Sequence, residues 1–183
     1  MNQRSGIETK RLILRPFVMD DVGEVRKLVA DRDIAATTSD SEVPQPDMTE
    51  LWIRERAERF GKGESFDFAI VQREKNLILG AIGLGFEHKN DESMQLGYWL
   101  GKQYWNQGYC TEAARAVIRY GFEELGLNRN FSRYFASNPA SGRVMEKTGM
   151  KYEGTMREAY KKGDKFEDLV CYSILRSEYT SFK

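Results

Sequence analysis

Histidine is almost absent from this chain of 183 residues; His88 is the only one. A Ser-His-Asp triad would have to be built on that residue, and a histidine-rich metal centre has nothing to draw on. The two cysteines, Cys110 and Cys171, lie too far apart for a Cys-x-x-Cys metal or redox pair. A cytosol would keep both as thiols. Long apolar runs are missing as well. The longest, Leu77 to Phe86, falls well short of the ~20 residues that cross a bilayer. Met1 to Glu8 has no apolar centre of the secretory kind. These absences point to a cytoplasmic protein with no membrane partner. Charge of one sign is lacking too: 28 basic residues balance 28 acidic ones. That argues against a nucleic-acid partner held by bulk charge. Neither GxGxxG nor GxxxxGK[ST] occurs, which removes the usual support for Rossmann and P-loop readings.

What is present is ordinary for a globule: 40% hydrophobic and 31% charged residues. No repeat, low-complexity tract or linker interrupts it, so residues 1–183 are expected to form one domain. Lys10 to Phe17 reads as a first strand, ended by Pro16. Asp20 is placed to cap a helix from Asp21 to about Ala30, with Val22, Val25, Leu28 and Val29 as its apolar stripe. Thr37 to Pro46 reads as a loop. Asp47 and Glu50 have the spacing of a capping box for a second helix, ending near Gly61 or Gly63. Trp52 on that helix is read as core. Phe66 to Gln72 and Leu77 to Phe86 read as a hairpin, with Gly80, Gly83 and Gly85 marking a bulge or a close backbone approach. Met94 to Leu100 is the next strand. A helix from Thr111 to Leu125, a strand from Asn130 to Ala136 and a short helix from Ser141 to Thr148 follow. A closing hairpin, Tyr152 to Tyr160 with Phe166 to Leu175, ends the chain.

The strand at Met94–Leu100 and the helix after it enclose Gln103-Tyr104-Trp105-Asn106-Gln107-Gly108-Tyr109-Cys110-Thr111. This linker holds no acidic residue. Backbone N–H groups there, with the first turn of the helix, would make an anion site. An ordinary strand-to-helix turn remains the alternative.

The same stretch resembles the pyrophosphate-binding segment of the GNAT acyltransferases, Gln/Arg-x-x-Gly-x-Gly/Ala. Gln103, Asn106 and Gly108 take its places, with asparagine for the first glycine. Gly-Tyr-Cys-Thr-Glu-Ala resembles the Gly-Tyr-Ala-Thr-Glu-Ala of the ribosomal-protein N-acetyltransferase (RimJ/RimL) branch. Asn138 to Met150 is similar to that branch's second block, Asn-x-x-Ser-x-x-(apolar)-x-Glu-Lys-x-Gly-Phe, with methionine for phenylalanine. The resemblance implies an α/β, mixed and strongly twisted sheet with helices on both faces. It implies acetyl-CoA as cosubstrate, without a metal. Its pantetheine would lie in a cleft where two strands splay apart.

On that resemblance, Asn106, Gln107, Gly108, Tyr109, Cys110 and Thr111 would hold the pyrophosphate. Tyr98, Trp99 and Leu100 would pair with the amide-rich arm. Asn138 would bond that arm or a substrate group, and Ser141 would lie near the thioester sulfur. A serine hydroxyl can donate to a developing thiolate. Alternatively, Asn138 and Ser141 only cap the short helix. Many relatives place a tyrosine acid four residues after this serine; here Met145 stands there. Glu87 and His88 could accept a proton, or be plain surface, and no base is assigned. Cys110, at a helix start, could be an activated thiol or a small buried filler. Arg143 and Lys147 could meet nucleotide phosphates or face solvent.

The expected reaction is direct acetyl transfer to a primary amine, with the N-terminal amine of a ribosomal protein as first choice. A polyamine, an aminoglycoside or a non-catalytic acyl-CoA-binding role are the alternatives. Monomer and homodimer are both open, because the closing hairpin offers an edge for pairing.

Overall fold

A computed structural model of the protein describes residues 6–39, 43–86 and 91–179. Eight strands form one sheet. They are β1 (Ile7–Glu8), β2 (Leu12–Pro16), β3 (Ser65–Gln72), β4 (Leu77–Phe86), β5 (Ser93–Leu100), β6 (Arg129–Phe135), β7 (Lys151–Lys162) and β8 (Lys165–Leu175). Their spatial order is β1-β2-β3-β4-β5-β6-β8-β7. Every neighbouring pair is antiparallel except β5 with β6. The parallel step is bridged by α4 (Tyr109–Glu123), as a crossover between parallel strands requires. The other helices are α1 (Val22–Val29), α2 (Arg32–Thr37), α3 (Thr49–Lys62) and α5 (Pro139–Lys147).

Both faces of the sheet are buried at its central strands β3 and β4, and strand alternation decides which side chain of β3 goes where. In β3, Phe68 and Ile70 join one apolar cluster with Ala113, Val117 and Ile118 of α4. Ala69 and Val71, between and beyond them, join a second cluster with Val25 of α1 and Ile53 of α3. The expected mixed sheet with helices on both faces is therefore what this chain builds. Trp52 sits in the second cluster, edge-on to Phe17 at 5.2 Å between ring centroids. It is core, as expected.

The glycines of β4 mark both expected features. Register slips between Ile70 and Val71, whose partners are Gly80 and Ile78, so Leu79 is the extra residue of a bulge. Its carbonyl is taken by the Gly101 N–H at 2.8 Å. A Cβ on Gly80 would stand 2.1 Å from the Trp99 carbonyl oxygen. The strand that borders the site thus rests against bare backbone.

Three local expectations differ. Residues 32–37, left without an element in the sequence reading, form α2. Asp31 caps it, accepting from the Asp33 N–H, while its last carbonyls are taken by distant groups. Lys162 donates to the carbonyls of Ala35, Ala36 and Thr38, and Asn138 donates to that of Thr37. Asp20 does not cap α1. It lies in a 3-10 turn (Met19–Asp21), and the Asp21 carboxylate instead accepts both arms of Arg15 and the Val18 N–H. Asp47 likewise falls in a 3-10 turn (Pro46–Met48) rather than capping α3, which begins at Thr49. In both places a 3-10 turn uses the capping residue before the α-helix starts.

Gly80→Ala is expected to destabilise the protein by roughly 1–3 kcal/mol, since the contact is with backbone that cannot swing aside. Urea unfolding checks this. A midpoint equal to wild type would show that β5 can shift away.

Candidate active site

β5 and β6 pair over three positions, Ser93–Gln95 with Arg129–Phe131, and then part. Beyond the junction Ser132 donates its hydroxyl to the Leu96 carbonyl at 2.7 Å. The Trp105 indole N–H takes the Leu100 carbonyl at 2.8 Å. Between these side-chain plugs, Gly97, Tyr98 and Trp99 border a cavity of about 540 Å³.

The mouth of the cavity is the loop that leads into α4. Asn106 has φ +60°, and Gly108, the N-cap of α4, has φ +79° and ψ 0°. Asparagine enters this left-handed region more readily than most residues, which is why it can stand where the family motif has glycine. Asn106, Gly108, Tyr109, Cys110 and Thr111 all line the cavity. Gln107 does not; its side chain donates back to the Gln103 carbonyl at 2.8 Å. The start of α4 leaves backbone donors without helical partners and carries the positive end of the helix dipole.

The far wall is α5. Asn138 is its N-cap by position, yet its side chain makes no capping bond and reaches Thr37 instead. Ser141 donates its hydroxyl to the Tyr98 oxygen at 2.9 Å, and the Tyr98 hydroxyl donates to the Ser141 carbonyl at 3.0 Å. Capping therefore does not account for either residue. The Tyr98–Ser141 couple was not legible in the sequence, because 43 positions separate the partners. Met145 is buried in the core and offers no proton. Tyr134 on β6, unmarked in the sequence reading, also faces the cavity. Burial, followed by the Glu146 charge and Tyr152, holds its phenol above the usual range, so it stays protonated.

The electrostatics favour an anion. Arg133, Arg143 and Lys147 line the cavity, and among the described lining residues there is no Asp, Glu or His. Glu87 and His88 lie outside the described residues. The Cys110 thiol is subject to two opposed effects: the helix start lowers its pKa and burial raises it. Burial wins and pushes it to about 12, so it is a neutral thiol at physiological pH. Cys171 lies on β8 and is not part of this wall.

A mixed sheet opened at its one parallel step, with a helix start at the opening, is the architecture of an acyl-transferring α/β enzyme. The acetyltransferase (GNAT) domain family matches residues 11–151, and the chain belongs to it. An uncharacterized N-acetyltransferase of Bacillus subtilis (strain 168), YnaD, is 30% identical over 177 residues, covering 94% of this chain and 98% of its own. The crystal structure of a GNAT-family acetyltransferase from Bacillus anthracis superposes with a TM-score of 0.84 at 27% identity, covering 94% of this chain and 99% of that one. The ribosomal L7/L12 alpha-N-protein acetyltransferase RimL, in complex with coenzyme A, superposes with a TM-score of 0.82 at 18% identity, covering 91% and 95%. That last likeness is one of fold. The protein is thus an N-acetyltransferase of the GNAT type, a family that uses acetyl-CoA as acyl donor.

Gly108→Val is expected to weaken acetyl-CoA binding about tenfold or more, because a β-branched residue at φ +79° costs on the order of 1–2 kcal/mol or distorts the loop. Calorimetry with acetyl-CoA checks it. Wild-type affinity in the variant would remove the loop from the donor site.

Proposed function

We propose that the protein transfers the acetyl group of acetyl-CoA directly to a primary amine, and that the acceptor is the N-terminal α-amine of a protein such as a ribosomal protein. The observation that carries the acceptor class is the cavity wall without a carboxylate or histidine among its described residues. At pH 7.4 an α-amine with pKa ~8 is about one-fifth free base, whereas an alkylamine near ~10.4 is about one-thousandth free. A site without a carboxylate base suits the first far better than the second. A polyamine or aminoglycoside also carries several positive charges, and no described residue lining the cavity offers an acid to meet them. The fold likeness to an α-N-protein acetyltransferase supports the same reading.

In this reading the backbone from Asn106 to Thr111 receives the pyrophosphate. The β5 backbone at Tyr98, Trp99 and Leu100 receives the pantetheine arm, with Asn138 beside it. The amine attacks the thioester carbonyl, and the C–N bond forms as the C–S bond breaks. The departing thiolate accepts a hydrogen bond from the Ser141 hydroxyl, and the proton shed by the amine reaches that sulfur through solvent. Turning the Ser141 hydroxyl away from Tyr98 gives up one neutral hydrogen bond, worth about 1 kcal/mol. A bond to a charged sulfur returns about 1.5–3 kcal/mol, so the exchange favours the thiolate. No acyl-enzyme is needed, and a Cys110 thiol that stays protonated is a poor nucleophile. We take residues 1–183 as one catalytic domain working in the cytoplasm, as monomer or homodimer.

Mass spectrometry of reactions with acetyl-CoA tests the acceptor. Short peptides with free Ser or Ala N-termini should gain an acetyl group, and spermidine and an aminoglycoside should not; the reverse pattern would overturn the α-amine reading. Ser141→Ala should lower turnover by about 10- to 100-fold while acetyl-CoA affinity changes by less than about twofold. A variant with full turnover would reject Ser141 as that donor. Cys110→Ala should keep transfer within a few-fold of wild type, and its loss would point instead to an acyl-cysteine.

A further inference from the structure

The loop at the cavity mouth is gripped from behind. Arg11, on the turn before β2, donates through Nη1 to the Gln107 carbonyl at 3.0 Å. Its Nε donates to Glu112 Oε2 at 2.7 Å, and its backbone N–H donates to Glu112 Oε1 at 2.8 Å. Thr9 adds its hydroxyl to the same Oε1 at 2.6 Å. The guanidinium lies over the Tyr109 ring, 4.4 Å from its centroid, and the Arg11 carbonyl is held by the Arg73 N–H at 2.9 Å. Glu112 belongs to the first turn of α4, so one arginine links that turn and the loop before it to the first strands of the sheet. Neither Arg11 nor Glu112 lines the cavity.

The grip matters because of peptide geometry. Gln107 stands between two left-handed residues, Asn106 and Gly108. In a trans peptide the C=O and the following N–H point in opposite directions. Holding the Gln107 carbonyl toward Arg11 therefore turns the Gly108 N–H away from Arg11, and Gly108 itself lines the cavity. Without that hold the peptide is free to flip and present a carbonyl to the phosphate. Charge is not the main effect, because the Arg11 guanidinium is paired with the Glu112 carboxylate. Burial would raise the Glu112 carboxyl, but bonds from Thr9 and Arg11 and the Arg11 charge outweigh it, so it stays ionised at neutral pH.

We propose that Arg11, held by Glu112, is a positioning residue that sets the peptide plane between Gln107 and Gly108 for the diphosphate of acetyl-CoA. This rests on the donor reading of the loop given above. Calorimetry with acetyl-CoA on Arg11→Ala, with thermal unfolding alongside, is the test. The expected result is an affinity loss of about tenfold or more and an unfolding midpoint within a few degrees of wild type. In steady state the loss should appear in KM for acetyl-CoA, with kcat within about twofold. Arg11→Lys keeps the charge but lacks the fork that reaches Gln107 and Glu112 together, so it should restore little. Wild-type affinity in Arg11→Ala would overturn the inference alone, as would full restoration by lysine, which would assign the effect to charge. Should Arg11→Ala fail to fold, Arg11→Lys carries the test, and full affinity there overturns the inference. A wild-type protein that does not bind acetyl-CoA would overturn the donor reading and this inference with it.

Discussion

A parallel strand pair that ends after three residues governs the rest of the site. Backbone N–H and C=O groups seldom stay buried without partners. Where β6 leaves β5, the Leu96 carbonyl is taken by Ser132 and the Leu100 carbonyl by Trp105. The strand between them, Gly97 to Trp99, borders the cavity. The parting also fixes where everything else must stand. α4 has to begin at the end of β5, so its N-terminal donors face the mouth. α5 follows β6 and has to lie across the gap, which brings Ser141 to Tyr98.

The stretches legible in the sequence are those whose structure is decided by near neighbours in the chain. The strands expected at Phe66–Gln72, Leu77–Phe86 and Met94–Leu100 and the helix expected at Thr111–Leu125 lie within two residues of β3, β4, β5 and α4. The glycines of β4 announced the bulge and the close approach to Trp99. The stretch 106–111 stands out because it resembles a family motif written within a few residues, and α4 begins at Tyr109, two residues before the expected Thr111. Ten of the eleven residues named for the site line one cavity, with Gln107 the exception.

What stayed hidden depends on partners far along the chain. α2 is six residues long, too short to stand on its own propensity. It exists because Lys162 and Asn138 satisfy its last carbonyls from beyond position 135. The same is true of Arg11 and Glu112, 101 positions apart. Arg11 carries no functional mark in the sequence, and Glu112, though it stands in the Gly-Tyr-Cys-Thr-Glu-Ala stretch, has no role assigned to it there. Asn138 is the instructive case. Its position before a short helix predicts a cap, and its side chain goes elsewhere. Propensity placed the residue, and tertiary contacts gave it a different use.

Geometry and charge do different work around the cavity. The helix start would favour an ionised thiol at Cys110, yet the enclosure that suits a thioester also desolvates the sulfur, and desolvation is the stronger effect. The thiol is thereby kept neutral on the cavity wall. The same enclosure keeps the Tyr134 phenol protonated. The described wall of the cavity thus combines a neutral thiol at Cys110 and a neutral phenol at Tyr134 with the cations Arg133, Arg143 and Lys147. Desolvation and charge therefore act on different side chains of one wall.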